Sequence, residues 1–209
     1  MGLIVAEYEG HRASHEICVV DKSTGDPLTD TVYWENNDCS KLICDRELTL
    51  FCYEYRGFAY YGGKRFNNLT LEFDFTLEAS QKDWPCLVFA SQSTRLRPID
   101  KGNKAYMIVI NHKYIEPQRF NDGIRTVFYG NLPGYSSTTG KIIENKFIRQ
   151  GEKCRIKCGT QSTDGGVRLF MEVNGCCVFD YIDPKESAIL DDGYFGIVVN
   201  NGFIKIEKP

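Results

Sequence analysis

The sequence has no convincing stretch with the period of an amphipathic helix, and no apolar run near the roughly 20 residues of a membrane-spanning helix. It also has no excess of basic residues, because 25 Lys and Arg stand against 28 Asp and Glu, for a formal net charge of -3. These absences argue against an α-helical fold and against membrane insertion. They also leave the chain without a general electrostatic attraction for nucleic acid.

Catalytic and cofactor motifs are missing as well. No GxSxG, GxGxxG or P-loop occurs, so a nucleophile elbow, a dinucleotide site and a phosphate site have no support. No CxxC occurs, and His11 and His15 have no third ligand at a recognisable zinc spacing. The nine cysteines are an odd number and cannot form a complete disulfide framework. Cys154 and Cys158 share strand parity with Ile156, which predicts that both are buried.

The residues that are present favour a folded β protein. Apolar residues make up 42% of the chain and aromatic residues 13%, enough to offset the entropy of ordering by burial. Short runs that alternate apolar and polar residues recur from end to end, separated by Gly, Asn, Asp and Pro. We therefore predict one all-β domain, residues 1–209, built from two packed antiparallel sheets.

The clearest strand pattern follows the sequence RFNN. Leu71 and Phe73 alternate with Glu72 and Asp74, and Glu78 extends the acidic row. The apolar face is predicted to be core. The acidic face is either a catalytic apparatus in a groove or a solvated surface.

Two Asn-Gly pairs between apolar runs predict hairpins with type I′ turns, at Asn174-Gly175 and at Asn201-Gly202. In the first hairpin, two-residue geometry sets Phe170 opposite Phe179. Together with Tyr181 they would form a face too aromatic to be simply solvated. A loop would cover this face, or a ligand or protein partner would bind it.

A family resemblance is carried by five stretches, in the order GFAYYGGKRFNNLTLEFDFTLE, DWPCLVFASQ, KAYMIVINHKYIEPQRF, GVRLFMEVNGCCVFDYID and DGYFGIVVNNGFIKI. The chain resembles the concanavalin A-like lectin/glucanase superfamily, and more narrowly its bacterial laminin-G-like and 3-keto-disaccharide hydrolase-like sandwiches. The resemblance covers residues 57–207, and its matched positions are Asn174, Gly175, Asp180, Tyr181, Gly193, Tyr194, Gly196 and Ile197. It implies a jelly roll of two antiparallel sheets, one of them curved, whose concave side commonly binds carbohydrate.

The resemblance also bears on catalysis. Glucanases of this superfamily carry Glu-x-Asp-x-Glu on a concave strand, or a bulged form with one extra residue. Glu72 and Asp74 match that spacing, but Glu78 lies six residues after Glu72, about 20 Å along a regular strand. A retaining carboxylate pair is about 5 to 5.5 Å apart. The relatives of hydrolase type also tend to show an Arg at the end of the strand CLVFASQ, where this chain has none. We therefore interpret the row as non-catalytic, with these three acids as the candidates if the chain is an enzyme.

A binding groove would need aromatic faces for sugar C–H surfaces and planar polar groups for hydroxyls. The residues expected to line it are Trp84, Gln92, Tyr106, Glu116, Gln118 and Arg119. Pro117 indicates an edge or a bulge, where functional side chains are often redirected. The alternative for each residue is a structural role, such as Tyr106 in a buried strand or Arg119 paired with a surface acid.

Calcium is the one cofactor that the pattern suggests, because lectin-like sandwiches often bind it through loop oxygens. Asp164 in STDGG and Asp191 and Asp192 in LDDG are the candidate ligands. Asp-Gly is also ordinary turn chemistry, so a structural role stays open.

These observations predict a non-catalytic carbohydrate-binding or adhesion module for a glycan or polysaccharide, excised from a larger bacterial surface or secreted protein. A glycan-cleaving enzyme of the same fold and a protein–protein interaction module are the alternatives. The start MGLIVAEYEG lacks a secretory signal, so we expect an extracellular or cell-surface location only as part of a larger protein.

Overall fold

The computed structural model describes residues 2–8, 11–17, 26–28, 33–37, 40–44, 47–52, 57–77, 85–128, 143–199 and 202–207. Within these ranges there is no α-helix, and hence none that could cross a membrane.

The described residues form seventeen strands, and every pairing between them is antiparallel. In chain order they are β1 (Gly2–Tyr8), β2 (His11–Ile17), β3 (Trp34–Asn36), β4 (Ser40–Cys44), β5 (Glu47–Cys52), β6 (Gly57–Phe66), β7 (Leu69–Thr76), β8 (Pro85–Ser91), β9 (Lys104–Ile110), β10 (Tyr114–Asn121), β11 (Ile124–Val127), β12 (Ile143–Glu144), β13 (Lys153–Thr163), β14 (Gly166–Val173), β15 (Cys176–Pro184), β16 (Gly193–Val199) and β17 (Gly202–Glu207).

Two large sheets account for all strands except β1 and β2, which pair with each other. Sheet 1 runs β11-β10-β9-β8-β16-β6-β3, with β12 also beside β10. Sheet 2 runs β15-β14-β13-β7-β17-β5-β4. This arrangement confirms the predicted all-β jelly-roll sandwich of two antiparallel sheets.

The main core lies between the two sheets, where aromatic side chains from both of them meet. Phe73 of β7 and Phe195 of β16 are fully buried in it. Along β7 the buried side chains alternate with Glu72 and Asp74 on the outside, so the predicted core face is confirmed.

Sheet 1 is also apolar on its outer face, the face that points away from the main core. Phe58, Tyr60, Val88 and Val109 are buried there. Burial on both faces explains why strands such as CLVFA are apolar without alternation. The Tyr60 ring lies against Gly196, where a Cβ atom would stand 2.3 Å from Cδ1 of Tyr60.

The β14–β15 hairpin has the predicted turn but a different register. Asn174 and Gly175 both have positive φ, at 50° and 76°, as a type I′ turn requires. A bulge shifts the pairing beside Met171, so that Phe170 lies opposite Asp180 and not Phe179.

The predicted aromatic face is therefore wrong. Phe179 and Tyr181 pack into or against the main core, whereas the Phe170 ring lies under the guanidinium of Arg168, with Cζ 4.5 Å from the ring centroid. The register shift by one residue turns Phe179 to the other face of the sheet. The surface that Phe170, Phe179 and Tyr181 were expected to offer a protein partner does not exist.

The second predicted hairpin is also wrong. Strand β16, which precedes Asn201, belongs to sheet 1, and β17, which begins at Gly202, belongs to sheet 2. The chain crosses from one sheet to the other at this point, and Asn201 itself lies outside the described residues.

The predicted burial of two cysteines is confirmed, since Cys154 and Cys158 both lie in the main core. Burial raises the pKa of the Cys154 thiol to about 11, which keeps it protonated and unreactive. The cysteines at 154, 158, 176 and 177 are free thiols.

Candidate functional site

Four of the six residues expected to line one groove lie on strands of sheet 1, but on opposite faces of it. Glu116 and Gln118 of β10 stand opposite Val109 and Met107 of β9, on the outer face. Tyr106 and Arg119, which pair with each other, point the other way, between the sheets. No single groove can contain all four side chains. Trp84 lies outside the described residues.

Pro117 is neither at an outer edge of the sheet nor at a bulge. It pairs with Ile108 of β9, and on its other side it lies between the short segments that pair with β12 and with β11. A residue without an N–H group is tolerated in such a gap, because no ladder hydrogen bond is lost there.

Tyr106 and Arg119 belong to a buried polar network that joins the two sheets. Nη1 of Arg119 donates to both carboxylate oxygens of Asp183, at 2.6 and 2.8 Å, and the Tyr106 hydroxyl donates to Oδ2 of Asp183 at 2.8 Å. The Ser187 hydroxyl donates to the same carboxylate at 3.0 Å, and the Ile189 N–H donates to the Tyr106 oxygen at 2.9 Å. Tyr106 therefore lies in a buried strand, as its structural alternative predicted, whereas Arg119 pairs with a buried acid and not with a surface one.

The acidic row of β7 lies on the outer face of sheet 2, among cations of the neighbouring strand. Arg155 of β13 donates to Glu72 and to Asp74, each at 3.0 Å. Lys153, also on β13, lies 4.0 Å from Asp74 and hydrogen-bonds Glu207 of β17. The hydrogen bonds that Arg155 donates, first that to Asp74 and then that to Glu72, raise its pKa. Glu78 lies outside the described residues.

The calcium candidates do not form a cluster in the described part of the chain. Asp164 lies in the β13–β14 turn, and Asp191 and Asp192 lie just before β16, all of them exposed. Within the described residues no group of three or more His, Cys, Asp and Glu side chains could hold a metal ion.

A small cleft of about 210 Å³ opens at the β3 edge of sheet 1, on the outer face. We call it the β3 cleft. Six residues line it, and they are Glu35, Asn36, Asn37, Phe58, Thr94 and Arg95. The lining therefore contains a carboxylate, two amides, a hydroxyl and a guanidinium beside one aromatic ring.

The wall on β3 is held by the residues around it. The Trp34 indole points inward, donates to the Pro27 carbonyl at 2.9 Å and lies edge-on to Phe195. Strand alternation then turns Glu35 outward. The Asn37 N–H donates to the Phe58 carbonyl, and the Phe58 N–H donates to Oδ1 of Asn37, both at 3.1 Å. Asn37 thus extends the ladder beyond the end of the strand and fixes the β3 wall beside Phe58.

The opposite wall is the segment 92–103, which connects β8 to β9 and carries Thr94 and Arg95. Its anchor is Asn103, which is fully buried. The Asn103 amide donates to the carbonyls of Leu96 and Arg97, at 3.1 and 3.2 Å, and its Oδ1 accepts the Gln92 N–H at 3.1 Å. The Tyr60 hydroxyl donates to the same Leu96 carbonyl at 3.0 Å, which ties the segment to the outer face of sheet 1.

A second polar group lies at the start of this segment. Nη2 of Arg65 donates to Oε1 of Gln92 at 2.6 Å and to the Asp192 carbonyl, and its guanidinium lies 5.4 Å from the ring centroid of Tyr194. The Gln92 amide nitrogen donates to the carbonyls of Ala90 and Asp192, at 3.1 and 3.2 Å. We call Arg65, Gln92, Tyr194 and the Asp192 carbonyl the Arg65 cluster.

Comparison with solved structures finds the same architecture in other proteins. A carbohydrate-binding module, CBM66 from Bacillus subtilis, aligns with a TM-score of 0.58 at 16% identity, over 84% of this chain and 92% of that one. A Bacillus subtilis protein of unknown function with a galectin-like fold aligns at 0.60 and 13% identity, over 87% and 90% of the two chains. The exoplasmic/lumenal domain of VIP36, in its Ca²⁺/Man3GlcNAc-bound form, aligns at 0.57 and 14% identity, over 88% and 86%. The chain has a lectin-like sandwich fold.

No protein-family model matches the chain, and no curated protein sequence does. Identities this low establish the fold and carry no residue roles across. Any role of the β3 cleft and the Arg65 cluster therefore rests on the geometry of this chain alone.

Sequence reasoning found Gln92 but missed both Arg65 and the β3 cleft. The cleft joins residues 35–37 to residues 94–95, and the Arg65 cluster joins β6 to the start of β16. One sequence signal was present, since Asn36 and Asn37 are two adjacent amides at the end of the run TVYWENN. It became informative only when the fold placed Arg95 opposite them.

Proposed function

We propose that the chain is a non-catalytic carbohydrate-binding module and that a glycan binds in the β3 cleft. The observation that carries the proposal is the chemistry of the cleft lining. Two amides, a carboxylate, a hydroxyl and a guanidinium supply both donors and acceptors for sugar hydroxyls, and Phe58 adds an aromatic ring for contact with the C–H surface.

The size of the cleft suits a shallow contact. At about 210 Å³ it is smaller than the roughly 300–1,000 Å³ of enclosed small-molecule pockets. A surface of this size would hold one or two sugar units and leave the rest of a polysaccharide in solvent.

The fold supports the same proposal. CBM66 is described as a carbohydrate-binding module, and the VIP36 domain was solved with Man3GlcNAc and Ca²⁺. Fold alone does not determine function, so this support is secondary to the cleft.

The ion pairs made by the acidic row of β7 support a non-catalytic role for the chain. Glu72 and Asp74 are both bound by Arg155, in the outer face of sheet 2. The β3 cleft lies on sheet 1 instead, so a glycan bound there would not meet these acids.

We further propose that the module acts outside the cell, as part of a larger surface or secreted protein. Calcium dependence is treated as a variable to be measured, because the VIP36 domain carries Ca²⁺. No cation site is assigned to this chain.

The test is a glycan array with the purified chain, with and without calcium, followed by calorimetry and product analysis on each bound glycan. Arg95→Ala and Asn36→Ala are each expected to weaken binding by about tenfold or more, since each removes hydrogen bonds to the sugar. Arg149→Ala is the matched control, because Arg149 is exposed and its nearest ion-pair partner is Glu152 at 3.7 Å.

Three results would contradict the proposal. One is that no glycan binds, and another is that the cleft variants bind as well as the parent. The third is cleavage of a bound glycan that is lost in Glu72→Gln or Asp74→Asn, which would establish an enzyme.

A further inference from the structure

The protein holds the Arg65 guanidinium in place but accepts hydrogen bonds from only one of its three nitrogen atoms. Both hydrogen bonds of Arg65 to the protein come from Nη2, to Gln92 and to Asp192, and the Tyr194 ring supports the flat side of the group. Among the described residues, none accepts a hydrogen bond from Nε or Nη1. Three of the five N–H donors of this exposed side chain therefore face a ligand or solvent.

Gln92 is saturated by the protein. Its Oε1 accepts from Arg65, and its amide nitrogen donates to the Ala90 and Asp192 carbonyls. Gln92 therefore has little capacity left for a sugar hydroxyl, and it acts as a positioning residue that holds Arg65. Ala90, with φ of +53°, is at the irregularity in the β8–β16 pairing that brings Gln92 to this place.

The cluster lies on the same side of sheet 1 as the β3 cleft. Tyr194 packs against the outer-face residues, as does Phe58 of the cleft. Gln92 precedes Arg95 by three residues, so their Cα atoms are at most about 11 Å apart. By the β6–β16 register Phe58 lies opposite Val198 and Phe66 opposite Gly193, about 17 Å apart along β16, so a glycan bound in the cleft reaches Arg65 only if it extends several units in that direction.

We infer that the Arg65 cluster is a subsite for the acidic group of a glycan held in the β3 cleft, either a uronate carboxylate or a sulfate ester. The inference rests on the proposed carbohydrate binding and adds the charge of the ligand. A guanidinium with its rotamer already held by a ring and two acceptors loses little entropy when an oxyanion binds it. The chain carries a formal net charge of -3, so an acidic preference has to arise from local cations.

The test uses paired glycans that differ only in charge. The array contains glucuronate and galacturonate oligosaccharides with their methyl esters, and sulfated oligosaccharides with their desulfated forms. The parent protein is expected to bind the acidic member of a pair about tenfold more tightly, and less so at high salt. Whether the uronate or the sulfate pairs show the difference identifies the acidic group.

Arg65→Gln is expected to remove this preference while the affinity for the neutral member stays within about twofold. Gln92→Glu is expected to do the same, because it sets a fixed carboxylate against Arg65 in nearly the same shape. Arg149→Gln, which removes an equally exposed arginine elsewhere, should keep the full preference.

Each possible result either supports or overturns the acidic subsite. Equal binding of acidic and neutral members overturns the acidic subsite and leaves the proposed function intact. An Arg65→Gln protein that loses both ligands equally also overturns it, since Arg65 would then serve the cleft or the fold in general. If no glycan of either kind binds, the proposed function fails first and the subsite fails with it.

Discussion

Two Arg–Asp pairs in this protein differ mainly in burial. In the Arg119–Asp183 pair the side chains are 14% and 2% exposed, and in the Arg168–Asp180 pair they are 32% and 43% exposed. Asp183→Asn leaves the Arg119 charge buried without its counter-ion, so we expect unfolding free energy to fall by about 3–5 kcal/mol. Asp180→Asn should cost only about 0.2–1 kcal/mol, because water screens the exposed pair. Urea denaturation of the two variants measures the difference.

A double replacement separates the charge from the packing. Arg119→Met with Asp183→Leu removes both charges and keeps apolar volume, and it should recover much of the stability lost in Asp183→Asn. Equal stability of the Asp183 and Asp180 variants would show that the buried network does not stabilise the contact between the two sheets.

The Arg119–Asp183 pair shows why the roles of single residues were hard to predict from the sequence. Arg119 was expected near a ligand because of its type and its strand, but its partner Asp183 lies on the opposite sheet, 64 residues away in the chain. Nothing in local spacing indicates such a pair. Cys154 and Cys158 were predicted correctly because burial follows from parity along one strand.

At the scale of strands, the sequence predicted which residues alternate between core and surface. It did not predict the register in which the strands pair. The period of β7 and the Asn174-Gly175 turn are local properties, and both were predicted. The bulge beside Met171 depends on how β15 packs against the core, since it buries both Val178 and Phe179. One extra residue in a strand, as in this bulge, leaves no recognisable pattern in the amino-acid sequence.

The chemistry of a turn also says nothing about which sheet comes next. Asn-Gly closes a hairpin before Cys176, yet the glycine of the second Asn-Gly begins β17, which belongs to sheet 2 while the preceding strand β16 belongs to sheet 1. The candidate sites depend on such crossovers, because they bring β3, β6 and the segment 92–103 together. That is why the fold class could be predicted from the sequence and the sites could not.

Strand β9 offers a test of the element that builds the cleft wall, because a buried Asn stands at each of its ends. Asn103→Ala removes the anchor of the segment 92–103, and the lost hydrogen bonds should lower unfolding free energy by about 1–3 kcal/mol. It should also speed hydrogen exchange in that segment and weaken glycan binding, although every residue of the cleft lining is still present.

Asn111→Ala is the matched control at the other end of β9. Its Oδ1 accepts the Lys113 N–H at 2.9 Å in the turn to β10, which does not line the cleft. This variant should lose stability and keep its glycan affinity. If Asn103→Ala keeps its affinity too, the segment does not need its anchor to shape the cleft.

At the scale of the whole molecule, the two outer faces differ in kind. The outer face of sheet 2 carries ion pairs that run across β7, β13, β14, β15 and β17. The outer face of sheet 1 is apolar, with the β3 cleft and the Arg65 cluster at its margin. Charged side chains on the first face pair with one another, whereas the second carries at its margin the donors and acceptors of the proposed glycan site.

This division predicts how stability responds to acid. The hydrogen bond from Arg168 lowers the pKa of Asp180 below its ordinary 3.8, and that from Lys153 lowers the pKa of Glu207 below its ordinary 4.5. Both carboxyls therefore bind protons less readily when folded than when unfolded. Their contribution to stability is fully present above about pH 5 and is lost as pH falls through the lowered values.

The measurement is urea denaturation at pH 7, 5, 4 and 3 for the parent and for Asp180→Asn/Glu207→Gln. The double variant should be less stable than the parent at pH 7, and the two should converge at low pH, where the parent carboxyls are protonated as well. About 1 M salt should shrink the difference at pH 7, since these pairs are exposed. A constant gap between the two proteins at every pH would mean that these carboxyls stabilise the sheet by packing and not by charge, and the ion-paired face would then be only a solvated surface.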